Sequence, residues 1–314
     1  MTISWSKPIE KQESGVFCQV PPKSPLAFKQ SLEQRLLNGA KAKNVDVQRL
    51  RQFALYERFL ARIFRVFQEK VILKGGIVLA LRHPEARTTK DVDLSLHENP
   101  NSIAAKLQEA CRLELDDYFT FTIKPDNKNP IIVTEGMPYP GARFRAEGFL
   151  AGRIYGSSFG VDIVFSEPKI KEAETWPQKS TFDFAEIDGP ILRICSIEVH
   201  LAEKLHAYTQ PRTHVNSRVK ALPDTALLAM LGRLDSQSLL PVLQKSFSER
   251  KSHPLPERMP EPPEAWEQKY AAMAKLERLP WKSLAEVYTA SSSFFNPLLA
   301  GHSGHWEPNT WSWC

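Results

Sequence analysis

The sequence predicts an α+β fold: a mixed β-sheet with flanking helices, followed by a helical C-terminal region. Three observations carry this. Between about residues 45 and 190, short β-prone runs alternate with stretches of helical periodicity. After Ile194 the pattern becomes helical. One β-prone run, Val71-Ile72-Leu73, breaks at Lys74-Gly75-Gly76 straight into a helical segment. With 314 residues, 42% apolar and 25% charged, the chain can bury a sizeable core and reads as soluble and globular.

Residues 1–24 read as an irregular leader, punctuated by Pro8, Pro21 and Pro22. Residues 25–194 form the sheet domain with its N-terminal helices. Asp46 is a plausible N-cap, and Leu50, Phe53, Ala54, Leu60, Ile63, Phe64 and Phe67 recur at helical spacing. Arg49, Arg51, Arg58, Arg62 and Arg65 lie mostly off that face and read as a solvated surface. A short helix over Ile77–Arg82 stops before Pro84, and Asp91–Leu96 alternates as a strand does. A helix from Ser102 to Leu115 follows, with strands at 119–123, 144–150 and 161–165. Residues 195–314 form the helical region, with helices after Ser196, over 219–231, after Ser236, and over 265–276 and 283–290. Within it, the proline-rich stretch 254–263 reads as an extended link. The tail from His302 to Cys314 carries three tryptophans and is too short to assign.

Composition narrows the function. No apolar run approaches the ~20 residues of a membrane span, and no apolar stretch follows the charged first residues as in a secretory leader. Cys18, Cys111, Cys195 and Cys314 are scattered, with neither a zinc pattern nor a disulfide framework. A cytoplasmic protein with no membrane partner is expected. The net charge of +5 permits a nucleic-acid partner without demanding one. No Gly-x-Ser-x-Gly, His-Glu-x-x-His or Walker A sequence occurs. His200 and His206 are six apart, not the four of a helical metal pair, and His206 reads as a packing residue.

The chemistry concentrates around Lys74-Gly75-Gly76 and Asp91-Val92-Asp93-Leu94. On a strand, Asp91 and Asp93 point to one face while Val92 and Leu94 anchor the other. Two converging carboxylates repel unless a cation lies between them, and hard oxygen ligands suit Mg²⁺ or Mn²⁺. Gly75 and Gly76, at a strand-to-helix break, expose backbone N–H groups as an anion site. A metal-binding acid pair beside a phosphate cradle suits a nucleoside triphosphate as substrate. Asp162, an acid inside the apolar run Phe159–Phe165, is the candidate third carboxylate, as metal ligand or as base for the attacking hydroxyl. An outward-facing acid on an edge strand is the alternative, but a charge in such a run is costly without a partner.

These residues resemble the nucleotidyltransferase signature of the DNA polymerase β superfamily, a hydrophobic residue with Gly-Gly followed by Asp-x-Asp. Within it the chain resembles the AbiEii toxin family of abortive-infection and type IV toxin–antitoxin systems. Further matches lie at Arg143–Glu147, Leu150–Arg153, Ala202-Glu203-Lys204 through Tyr208, Asn216–Lys220 and Pro262–Trp266. The resemblance implies a polymerase-β-like sheet, with Lys204 and Asp224 close to the active site and Lys74 or Arg87 helping to hold the triphosphate. It also implies a toxin that adds nucleotides to tRNA 3′ ends, with a small helix-turn-helix antitoxin as partner. Arg212, Arg218, Lys220 and Arg233 are the guess for the RNA-holding surface. Two departures stand out: Ile77 replaces the family's frequent Ser or Thr after the glycines, and Ala221 replaces the first acid of its Arg-x-Lys-Asp-x-x-Asp motif. Two alternatives stay open: nucleotidyl transfer to a protein hydroxyl, and a degenerate module that binds nucleotide or RNA without turnover.

Overall fold

The computed structural model describes residues 24–83, 86–132, 141–165, 173–211 and 218–314. The expected leader, apart from Ser24, and Arg212 lie outside the described residues.

Two helices open the chain. The first, α1 (Pro25–Lys43), starts at an N-cap Ser24 and buries Phe28, Leu32, Leu36 and Ala40, a strict four-residue repeat. The second, α2 (Val47–Phe67), starts at the expected N-cap Asp46, whose side chain accepts from the Gln48 N–H. Its apolar face packs on the sheet, but two of its arginines correct the sequence reading. Arg58 and Arg62 are buried, and both donate to Asp117 at 2.7 Å. Burial of two guanidiniums is tolerable because Asp117 and the carbonyls of Leu113 and Phe119 satisfy their N–H groups.

The strands are β1 (Val71–Lys74), β2 (Asp91–Leu96), β3 (Phe119–Pro125), β4 (Ile131–Ile132), β5 (Gly141–Leu150), β6 (Arg153–Ile154), β7 (Phe159–Phe165), β8 (Ala173–Pro177) and β9 (Ile191–Cys195). Between them lie α3 (Gly75–Arg82) and α4 (Ile103–Arg112). The sheet order is β3-β5-β7-β2-β1-β9-β8, with β4 and β6 paired on β5. Strands β1 and β2 are antiparallel, whereas β2–β7 and β1–β9 are parallel, so the sheet is mixed as expected. The run containing Asp162 is an inner strand, between β2 and β5, and not an edge.

Helices α5 (Ile197–Thr209), α6 (Ala221–Ala229), α7 (Ser236–Arg250), α8 (Glu267–Glu277) and α9 (Leu284–Leu299) follow. Ser196 caps α5 by accepting from the Val199 N–H. The C-terminal region is not purely helical: β10 (Leu234–Asp235), β11 (His305–Glu307) and β12 (Ser312–Trp313) form a three-stranded sheet. That sheet orders the tryptophan-rich tail. The indole N–H groups of Trp306, Trp311 and Trp313 donate to the carbonyls of Ala229, Ala290 and Phe294, stitching the tail to α6 and α9. The proline-rich stretch is packed down rather than spanning open surface: Met259 is buried, and its carbonyl and that of Pro260 accept from Tyr288 and Tyr208. The buried apolar residues fall into two clusters, one around the sheet with α1 and α2, the other among the later helices. No helix among the described residues is long and apolar enough to cross a membrane.

Candidate active site

The β-register sets Lys74 opposite Asp93, Asp93 opposite Asp162, and Asp162 opposite Arg143. Side chains in register across adjacent strands share a face. The sheet therefore lays out one row across β1, β2, β7 and β5: cation, acid, acid, cation. Asp91, two residues before Asp93, stands opposite Gly160 in the next row, with Arg145 beyond it.

Glycine makes room for both acids of the pair. A Cβ on Gly75 would lie 1.9 Å from Asp93 Oδ2, and Gly75 has a φ of +68°, a region that L side chains rarely adopt. A Cβ on Gly160 would lie 2.4 Å from Asp91 Oδ1. Each carboxylate thus lies against bare backbone. Gly76 plays the same part for Thr89, whose Oγ1 would lie 2.8 Å from an added Cβ.

Burial pushes the Asp93 carboxyl up to about 6, and the nearby charges of Asp162 and Asp91 push the same way against Lys204. Such a set of crowded hard oxygens fits a divalent cation, which would relieve the repulsion. Asp91 and Asp93 fit that role as they stand. Asp162 does not yet: Arg143 donates from Nε to Oδ1 at 2.7 Å and from Nη2 to Oδ2 at 2.6 Å, taking both carboxylate oxygens. Among the described residues, no group of three His, Cys, Asp or Glu side chains stands ready-made for a metal ion.

The two residues carried from the later motifs meet each other. Asp224, with no solvent exposure, accepts from Lys204 Nζ at 2.7 Å and from both Nε and Nη2 of Arg87 at 2.9 Å. Burial alone would raise the Asp224 carboxyl, but Lys204 and Arg87 hold it down to about 2. Asp224 is therefore a holder of cations at the cleft wall. Lys204 and Arg87 both line the cleft, whereas Tyr208, one turn on from Lys204, turns into the helical core beside Trp266. Lys74 is paired with Glu203, which also accepts from Arg250 at 3.2 Å. Burial opposes the charges on both, yet Glu203 holds the lysine above its ordinary range, and Lys74 with Arg250 holds Glu203 down to about 2.

The two departures from the family pattern are now placed. Ile77 is buried in the sheet core, so its side chain takes no part in the cleft. Ala221 is buried among the later helices, three residues before Asp224 on α6. Of the suggested RNA-holding residues, Arg218 and Lys220 line the cleft; Arg233 does not, and lies near Glu307. His206 is buried against Phe247, as expected of a packing residue.

Three site residues were given no role by the sequence reading: Arg143 and Glu203, which appear only within the family matches, and Glu277, which appears nowhere in it. Glu277 accepts from the Thr88 N–H at 2.9 Å and from Thr88 Oγ1 at 3.0 Å, fixing the approach to β2 from the end of α8. Glu203 had a signal in its adjacency to Lys204, and Arg143 in lying two residues before Arg145 on a strand. Their partners are too distant in sequence to be read from spacing. The cleft these residues line has a volume of about 1690 Å³. Small-molecule pockets usually occupy roughly 300–1,000 Å³, so this one has room for a nucleotide and part of a second substrate.

No curated protein sequence matches the chain. Among solved structures, it is similar to MenT4, a nucleotidyltransferase toxin from Mycobacterium tuberculosis. The identity is 13% and the TM-score 0.51, covering 90% of this chain and 92% of that one. It also matches the JHP933 protein of Helicobacter pylori, with 16% identity and a TM-score of 0.43, over 78% of this chain and 93% of the other. The family model for the AbiEii nucleotidyl transferase toxin of type IV toxin–antitoxin systems matches residues 58–286, a span that runs from within α2 to the first turn of α9 and takes in every site residue described above. The chain belongs to the AbiEii nucleotidyltransferase toxin family.

Proposed function

We propose that the protein transfers a nucleotidyl group from a nucleoside triphosphate to the 3′ end of an RNA, tRNA in the first instance, with Mg²⁺ or Mn²⁺ held by Asp91 and Asp93. The observation that supports this best is the row Lys74–Asp93–Asp162–Arg143, with glycine backbone beneath the acid pair. Gly75 and Gly76 line the cleft at the N-terminus of α3, whose first amides have no intrahelical partners, so this end of the helix suits the triphosphate. Lys204 and Arg87, fixed by Asp224, add positive charge on the same flank. Bound divalent cation would neutralise the leaving pyrophosphate and lower the pKa of the attacking hydroxyl. Asp162, once clear of Arg143, would take the proton of that hydroxyl. A helix-turn-helix antitoxin completes the reading as a partner that the family implies.

The test incubates purified protein with Mg²⁺, each labelled nucleoside triphosphate in turn, and total tRNA, alongside Asp93→Ala. Label on tRNA from the wild type alone is the expected result. Label on protein instead would replace RNA with a protein hydroxyl as acceptor. Bound nucleotide with no label transferred would leave a binding module.

A further inference from the structure

On the reading that the acceptor is RNA, we infer that Arg143 is an acceptor-operated latch. It occupies Asp162 until a phosphate of the incoming strand takes its guanidinium, and only then is Asp162 free to act. The register separates two flanks of the acid row. On the β1 side stand Lys74, the N-terminus of α3, Lys204 and Arg87, the flank assigned to the triphosphate, where Glu203 holds Lys74 and Asp224 holds Lys204 and Arg87. Arg143 stands on the opposite side, on β5, where the donor does not need it.

Arg143 is not a structural arginine sealed in the core: its side chain is 39% exposed and lines the cleft. Arg145, two residues along the same strand and so on the same face, is 49% exposed and only loosely paired with Asp126, at 3.7 Å. Two arginines whose Cα atoms lie roughly 7 Å apart along a strand offer one nucleic-acid backbone two holds. A guanidinium fork fits phosphate as well as carboxylate, so the exchange conserves the bidentate pairing while it uncovers both Asp162 oxygens. The transfer step then forms a bond from the hydroxyl oxygen to the α-phosphorus and breaks the bond to pyrophosphate, with the hydroxyl proton passing to Asp162. Without RNA, Asp162 stays occupied and water is not activated, so the triphosphate is spared.

The experiment follows release of nucleoside monophosphate and pyrophosphate from labelled triphosphate with Mg²⁺, with and without tRNA, for wild type, Arg143→Ala and Arg143→Lys. Arg143→Ala should raise RNA-independent hydrolysis at least tenfold and raise KM for tRNA; Arg143→Lys should fall between. A second arm needs only the wild type. An RNA ending in a 2′,3′-dideoxynucleotide cannot be extended, yet should stimulate hydrolysis because it opens the latch. Transfer by the wild type with no rise in hydrolysis in either arm overturns the latch and leaves the transferase reading standing. No transfer to RNA by the wild type overturns both.

Discussion

Asp224 is gripped by two cations from different parts of the chain, and its burial makes that grip matter. Its carboxyl lies near 2 when folded, below the ordinary value of 3.8. A depressed acid contributes stability above its unfolded pKa and loses it as pH falls through the folded one. We therefore expect roughly 2 kcal/mol from this group at neutral pH, lost between about pH 4 and pH 2. Urea unfolding of Asp224→Asn at pH 7 and pH 3 checks this: the variant should be weaker at pH 7, and its deficit should shrink at pH 3. Asp93 has the opposite sign. Its carboxyl is raised to about 6, so ionisation costs stability as pH rises through that value. In EDTA at pH 7.5, Asp93→Ala should melt no lower than the wild type; with Mg²⁺ restored, it should show no transfer where the wild type does. Gly75→Ala meets both a positive φ and the Asp93 carboxylate. It should lose transfer by at least a hundredfold, and about 1–3 kcal/mol of stability as a strained position, both readable on one preparation by activity and urea midpoint.

Strands and helices were legible where they repeat locally. The alternation in β2, the apolar run of β7, and the caps at Asp46 and Ser196 all announce themselves within a few residues, and so does the convergence of Asp91 and Asp93. What was not legible is the choice of partner across long loops. Arg58 and Arg62 occupy positions that read as solvent-facing, and the anion that lets both be buried is Asp117, more than fifty residues on. Lys74 and Arg87 read as phosphate ligands because nothing near them in sequence competes; Glu203 and Asp224 compete from α5 and α6. The same holds for Asp162, whose acid character was readable and whose arginine partner was not. At this scale the test is Asp117→Ala, which leaves two buried guanidiniums short of an anion. Removing one partner of a buried ion pair typically costs about 3–5 kcal/mol, and chemical denaturation should show a loss of that size in a region remote from the cleft.

Across the whole molecule, the cleft lies where the sheet meets the later helices, and Asp224 of α6 holds Arg87 from the loop before β2. The tryptophan-rich tail supports the helical side of that meeting. Trp306 is fully buried and its indole N–H is satisfied only by the Ala229 carbonyl at the end of α6. Trp306→Ala should cost about 3–5 kcal/mol as a large core truncation, read as a lowered urea midpoint, and should weaken transfer through the loosened hold on α6. Mg²⁺ with triphosphate should raise the melting temperature of the wild type by mass action, and Asp93→Ala should lose that rise; differential scanning fluorimetry with and without EDTA measures it.

The row of charges across the sheet is drawn from two stretches of sequence on either side of an exposed turn. Lys74, Asp91 and Asp93 precede the exposed turn at Lys128-Asn129, while Arg143, Asp162 and Lys204 follow it. A chain divided at Asn129 would therefore put Asp91 and Asp93, proposed to hold the metal, in one piece, and Asp162, Arg143 and Lys204 in the other. Neither half would hold a complete catalytic centre, and any transfer from a mixture would report that β3 had found β5 again. The proposed transferase activity could in this way be stored as two inactive polypeptides and switched on by their reunion.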